Sequence, residues 1–248
     1  MTNNASLTQF EWTRLLGNSH SEVANALTTG LDGSIYIAGE ARGDLDLDGQ
    51  QKQGGDDAFI SKFNPDGTKE WTRILGSSAW EVANALTTGS DGSIYIAGNT
   101  RGDLDGQTHN GGGVDAFISK FNPDGTKKWT RLLGTSRNDR GNALTTGSDG
   151  SIYIAGTLDS DLPGDIGGSF GDAFISKFNA DGTKEWTRLV GISSTEEAHA
   201  LTTGIDGSIY IAGYTEGNNE MKLRNYPYGS YDVFISKFNP DGTKEWTR

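Results

Sequence analysis

The chain has 248 residues, with 36 Gly, 5 Pro, 6 Trp and no Cys, and its 33 acidic against 21 basic residues leave a formal charge of −12. A chain of this length forms one large all-β domain or two small ones and buries a core either way. Without cysteine there are no disulfides, thiol nucleophiles or Cys-ligated zinc, the acidic balance without a Lys/Arg cluster opposes nucleic acid, and no apolar run approaches the roughly 18 residues of a membrane-spanning helix.

Glycine makes up about 15% of the chain, roughly twice the usual share, while β-branched and aromatic residues recur at regular spacing. That combination predicts many short strands joined by tight turns. Residues 1–5 lack the basic and apolar regions of a signal peptide, so they indicate no compartment.

In chain order, residues 8–16 (Thr-Gln-Phe-Glu-Trp-Thr-Arg-Leu-Leu) predict a lone strand. Four near-copies of one unit follow within a single domain over 1–248, at 24–73, 83–131, 142–188 and 199–248. Their register is marked by Trp12, Trp71, Trp129, Trp186 and Trp246, by Tyr36, Tyr95, Tyr153 and Tyr210, and by Phe59, Phe117, Phe174 and Phe234. A period near 58 residues is read first as a repeat architecture. In the second copy, 83–88 predicts strand A, the turn Gly89-Ser-Asp-Gly92 leads into strand B over 93–98, and a long loop precedes strand C over 116–122. The turn Pro123-Asp-Gly125 then reverses the chain into strand D, from 127 to about 133. Four antiparallel strands in sequence order describe a blade of an all-β propeller.

The blade phrases Asp-Ala-Phe-Ile-Ser-Lys-Phe-Asn-Pro-Asp-Gly-Thr-Lys-Glu-Trp and Asp-Gly-Ser-Ile-Tyr-Ile-Ala-Gly resemble the bacterial SBBP-type β-propeller repeat over nearly the whole chain. The resemblance implies the fold and says little of function, because propellers with unrelated activities share this scaffold. It also implies likeness to arrays in large cyanobacterial surface or secreted proteins.

Five D strands for four blades pose a closure question. The N-terminal strand is expected to complete the last blade, since an unpaired edge invites association, and the C-terminal copy stops at Arg248, before the Leu-Leu-Gly-like continuation of the others. Three outcomes follow: a four-bladed ring, an eight-bladed ring made by strand exchange in a homodimer, or an excerpt of a longer array, natural or engineered.

The A–B and C–D turns hardly vary between copies, whereas the B–C loops (40–56, 99–114, 157–171, 214–231) and the D–A loops do. In a meandering blade both variable sets project from one face, which makes that face the candidate binding surface. Ligand candidates there are Trp80, which has no aromatic counterpart in the other copies, the acids Glu22, Glu81, Asp139 and Glu196, and the aromatics Tyr226 and Tyr228. Asp44-Leu-Asp46-Leu-Asp48-Gly49 matches the start of a calcium loop, with Gly55 where an EF-hand carries Glu, so a propeller-loop Ca2+ site is the metal reading. Asp57, Asp115, Asp172 and Asp232 recur before strand C, and repetition assigns them a structural role, as acceptors of backbone N–H groups or in pairing with the neighbouring blade. Arg42-Gly-Asp44 and Arg101-Gly-Asp103 are read as chance tripeptides. The expected function is a non-enzymatic binding or scaffold module with a protein or glycan ligand. The rivals are a lectin using Trp80 and calcium, a hydrolase or lyase needing unlike acids at the central channel, and an array whose property is self-assembly.

Overall fold

The computed structural model describes residues 12–17, 21–42, 49–159, 171–191, 195–216 and 231–248. Within them the chain forms four antiparallel sheets of four strands, each in simple sequence order. The first holds β1 (Glu22–Thr29), β2 (Ile35–Ala41), β3 (Asp57–Phe63) and β4 (Lys69–Leu75). The second holds β5 (Glu81–Thr88), β6 (Ile94–Thr100), β7 (Asp115–Phe121) and β8 (Lys127–Leu133). The third holds β9 (Asp139–Thr146), β10 (Ile152–Leu158), β11 (Asp172–Phe178) and β12 (Lys184–Leu189), and the fourth β13 (Glu196–Thr203), β14 (Ile209–Glu216), β15 (Tyr231–Phe238) and β16 (Lys244–Thr247). The expected propeller blades are therefore present. Each A strand begins at the acid that precedes it, so the second starts at Glu81, two residues before the sequence-based start.

Local chemistry explains the reversals. At the A–B turn of the second blade Gly92 adopts φ +77°, and the Ser93 N–H donates to Asp91 Oδ1 at 2.9 Å. The C–D turn repeats the device, with Thr126 N–H donating to Asp124 Oδ1 at 2.8 Å. The glycine of Ile-Tyr-Ile-Ala-Gly has a different cause. Strand A carries a bulge between Ala83 and Ala85, which brings the Val82 carbonyl so close that a Cβ on Gly98 would lie 1.8 Å from it. The same 1.8 Å approach recurs at Gly39, Gly156 and Gly213, so the bulge and its facing glycine form one structural unit.

Alternate residues of the second and third sheets face the two neighbouring blades. Between the first two blades, Tyr36, Ala38, Ile60 and Trp71 pack on Leu86, Ile94, Ile96 and Phe117, all buried. Equivalent clusters join the second blade to the third and the third to the fourth. The aromatic edges are latched as well as packed. Trp71 Nε1 donates to the Pro123 carbonyl at 3.3 Å and Arg73 Nε to the Gly125 carbonyl at 3.2 Å, and the Arg73 guanidinium lies 5.3 Å from the Trp71 ring centroid. Within a blade, strands C and D share a buried hydroxyl pair, such as Ser61 Oγ with Thr72 Oγ1 at 2.8 Å. Thr72→Val leaves the Ser61 hydroxyl without that partner and is expected to lower stability by about 1–2 kcal/mol. Urea unfolding checks this, and in Thr72→Val/Ser61→Ala most of the loss should be recovered.

The N-terminal residues depart from expectation. The outer strand of the fourth blade is β16, and residues 12–17 pair in none of the four sheets. They lie against the first blade instead: Trp12 Nε1 donates to the Pro65 carbonyl at 3.0 Å, and Leu16 packs on Ala41 and Phe59. The reason is sequence identity, since Trp12 and Leu16 hold the D-strand positions of Trp71 and Leu75 and carry the same affinity for the following blade. Residues 8–11 of that expected strand lie outside the described residues.

Candidate functional site

Both variable loop sets meet at the blade junctions, and each junction is built around buried carboxylates. At the first junction the D–A loop starts at Gly76, which rests on the Asp57 carboxylate: a Cβ there would lie 2.4 Å from Asp57 Oδ1. The loop ends at Glu81, fully buried at the start of β5. Its Oε2 accepts from the Ser77 N–H at 2.6 Å, and its Oε1 accepts from the Ser77 hydroxyl at 2.6 Å and the Thr100 hydroxyl at 2.7 Å. One carboxylate thereby ties the start of the loop, its end and the neighbouring strand β6.

The second junction uses a shorter acid. Asp139, also fully buried, accepts from the Thr135 N–H, from the Thr135 hydroxyl at 3.0 Å, and from the Asp159 N–H at 3.1 Å. At the third, Thr215 Oγ1 donates to Glu196 Oε1 at 2.9 Å. Glu22, the equivalent in the first blade, is half-buried and stands beside Gly17. Glu81 and Asp139 thus anchor their D–A loops from beneath, and Glu196 ties the start of β13 to β14.

Two of the aspartates before strand C, Asp57 and Asp115, accept backbone N–H groups. Gln53 N–H donates to Asp57 Oδ2 at 2.8 Å and Asn110 N–H to Asp115 Oδ2 at 2.9 Å. Burial pushes the Asp57 carboxyl up to about 6, with the Gln53 N–H opposing and the nearby Glu81 charge adding to the rise. Asp139 also reaches about 6, through burial against its three hydrogen bonds, with the Asp115 charge adding. Asp115 is raised by burial, which the Asn110 N–H and His109 oppose. Asp232 is exposed, because no following blade covers it.

What the clamps hold up is variable. The first D–A loop presents Ser78, Ala79 and Trp80, and the second presents Ser136, Arg137 and Asn138. Trp80 is half-buried, and the Arg101 guanidinium lies 5.4 Å from its ring centroid, so one ring face already carries a cation. In the second B–C loop Leu104 is fully buried. The short acidic phrase around it is engaged internally: Asp103 Oδ1 accepts the His109 N–H at 2.8 Å, and the Asp105 carboxylate accepts from Lys127 and Thr130. Asp44, Asp46 and Asp48, as well as Tyr226 and Tyr228, lie outside the described residues. Among the described residues no three acids or histidines gather as a metal-ion group.

One cluster was missed from sequence. On the fourth blade His199 stacks on Tyr214 at 5.4 Å between centroids, Tyr231 meets Tyr214 edge-on at 4.8 Å, and the Tyr214 hydroxyl donates to Glu197 Oε2 at 2.6 Å. That bond to a carboxylate, aided by burial, pushes the Tyr214 phenol up to about 12. The available signal was departure from the repeat. His199 replaces Asn25, Asn84 and Asn142, and Tyr214 replaces Glu40, Asn99 and Thr157.

Residues 89–127 match the model of a β-propeller domain of unknown function, DUF5122. The regulatory protein FlaEY of Caulobacter vibrioides is 32% identical to this chain, over 84% of the chain and 24% of FlaEY, so the chain spans about a quarter of that relative. Among solved structures, hydrazine synthase of Kuenenia stuttgartiensis matches with 13% identity and TM-score 0.54, over 88% of this chain and 51% of that one. A protein of unknown function from Dyadobacter fermentans matches with 13% identity and TM-score 0.53, over 89% and 67%. At such identities the structural likeness shows the fold alone, and with the segment match and the four sheets it makes the architecture of this chain a β-propeller.

Proposed function

We propose that this propeller is a non-enzymatic binding module that engages a protein through the face formed by its D–A and B–C loops. The observation that carries the reading is the clamp: a buried acid fixes the base of the D–A loop at the first two junctions, while the residues it holds up change from copy to copy. A constant frame with variable display suits recognition, because loop residues are ordered before a ligand arrives. The regulatory name of FlaEY and the likeness to SBBP-type arrays of surface or secreted proteins agree with a protein ligand. A glycan ligand is the second reading, carried by Trp80, and the Arg101 cation on its ring weighs against a sugar platform there. A Ca2+ ion held by Asp44, Asp46 and Asp48 would rigidify the first B–C loop.

Purified chain applied to arrays of immobilised proteins and of glycans tests this. Grafting Ser136-Arg137-Asn138 in place of Ser78-Ala79-Trp80 keeps the clamp acid and changes only the display. Binding to a protein that falls at least tenfold in the graft, at unchanged melting temperature, is the expected result. A glycan hit lost in Trp80→Ala would install the lectin reading, and a ligand indifferent to every D–A loop graft would remove this face from consideration.

A further inference from the structure

The four blades form an open arc. Packing runs from β1 to β5, β5 to β9 and β9 to β13, with none of comparable extent between the fourth sheet and the first. Positions that are sealed within the arc are open at its ends. Ile60, Ile118 and Ile175 are 0% exposed, whereas the equivalent Ile235 is 40% exposed and its neighbour Val233 84%. At the other end Leu27 is 66% exposed, against 9% for the equivalent Leu86. The free side of the fourth blade is thus the side that, in every other blade, receives the next one, and the free side of the first is the side that does the seating.

The N-terminal segment identifies what belongs between them. Trp12 donates to the C–D turn of the first blade at Pro65 as Trp71 does to Pro123 and Trp129 to Ala180. The outer strand of a preceding blade is already in its seat, and what that blade lacks is strands A, B and C. The fourth blade supplies those three, with β16 paired along β15 from Phe238 to Ile235. Trp246 cannot share the seat that Trp12 holds.

We propose that a second copy of this chain fills the gap. The fourth blade of each copy packs on the first blade of the other, and Trp12–Leu16 of each extends the partner's fourth sheet in place of β16. Four blades do not bring the ends together in this structure, two copies give eight, and three give twelve, beyond the usual range of about four to eight. The hydroxyl-to-carbonyl bonds that join neighbouring A strands continue across the new junction. Thr88 donates to the Thr29 carbonyl, Thr146 to Thr88 and Thr203 to Thr146, which leaves Thr29 of one copy to donate to Thr203 of the other. Two identical junctions then close a ring with twofold symmetry and no uncovered blade face.

Light scattering on the 248-residue chain tests this at several concentrations. The expected mass is twice 26.5 kDa. Leu27→Asp and Val233→Asp place a carboxylate in the junction at sites exposed in the single chain, so each variant should keep its β-sheet circular dichroism and dissociate, its dimer weakened roughly a hundredfold. Mixing the two variants leaves one junction unaltered and should restore a dimer. Trp12→Ala should weaken the dimer and Trp246→Ala should not. A monomeric wild-type chain, a polymer longer than two, or a mixture that stays monomeric overturns the proposal. The loop-face graft of the preceding section lies away from these residues, so the two proposals fail independently.

Discussion

Glu81→Ala is expected to destabilise the protein by about 3 kcal/mol, because it deletes one side chain and orphans several buried donors. The Ser77 N–H, the Ser77 hydroxyl and the Thr100 hydroxyl all end on this carboxylate at 2.6–2.7 Å. A buried donor left without its acceptor costs about 1–3 kcal/mol, more where the acceptor was charged. Relaxation offsets part of this: Thr100 also reaches the Gly102 carbonyl at 2.9 Å. For a chain of this size the loss corresponds to a melting temperature lower by roughly 6–12 °C. Glu81→Gln keeps one acceptor oxygen and turns an amide toward a donor, so about half the loss is expected. Thermal and urea unfolding give the numbers, and hydrogen exchange should show Ser77 losing protection first. A change in Glu81→Ala below about 0.5 kcal/mol would mean that something other than this carboxylate holds the D–A loop, and would overturn the clamped display.

Stability is expected to decline as the pH rises from about 4 to 6, the reverse of the usual behaviour of paired carboxylates. Burial raises Asp57 and Asp139 from an ordinary 3.8 to about 6. Between those values the folded state keeps protons that the unfolded chain has released, so stability falls with pH through this window and levels off above it. A shift of this size corresponds to about 3 kcal/mol for each group, which solvent screening reduces to about 2 kcal/mol. A separate set of acids acts lower. Asp32 and Asp206 are held below the usual range mainly by the Ser34 and Ser208 N–H groups, and their contribution is lost only as the pH drops below about 4. Asp57→Asn/Asp139→Asn should therefore flatten the curve between pH 4 and 6 and leave the acid limb unchanged. Melting temperatures in half-unit pH steps decide it, and a double variant running parallel to the wild type would refute the assignment.

Much of the architecture is legible without coordinates because it is written four times. The Asp-Gly turns, the aromatic latch and the alternation of small and large residues in β2, β6, β10 and β14 each serve a local need that repeats with the unit. The bulge behind Gly98 was not legible, since a strand glycine looks the same whether it relieves a backbone approach or fills space. Among the site residues, Trp80 stood out by its singularity. Glu81, Asp139 and Glu196 were visible as recurrent acids before strand A, but recurrence does not say whether an acid faces solvent or a serine hydroxyl. The His199–Tyr214–Tyr231 cluster escaped because its members come from three strands and meet only across the sheet.

The sequence by itself determined the unit: four strands, two tight turns, one variable face, repeated through the chain. It determined this because turn chemistry and side-chain alternation act over a few residues. Only the tertiary structure decided where the N-terminal Trp12 sits, which acids lie buried at the junctions, and that the fourth blade and the first leave matching faces uncovered. Those outcomes depend on curvature summed over all the blade interfaces and on competition between near-identical strands for one seat, and neither is a property of any single repeat.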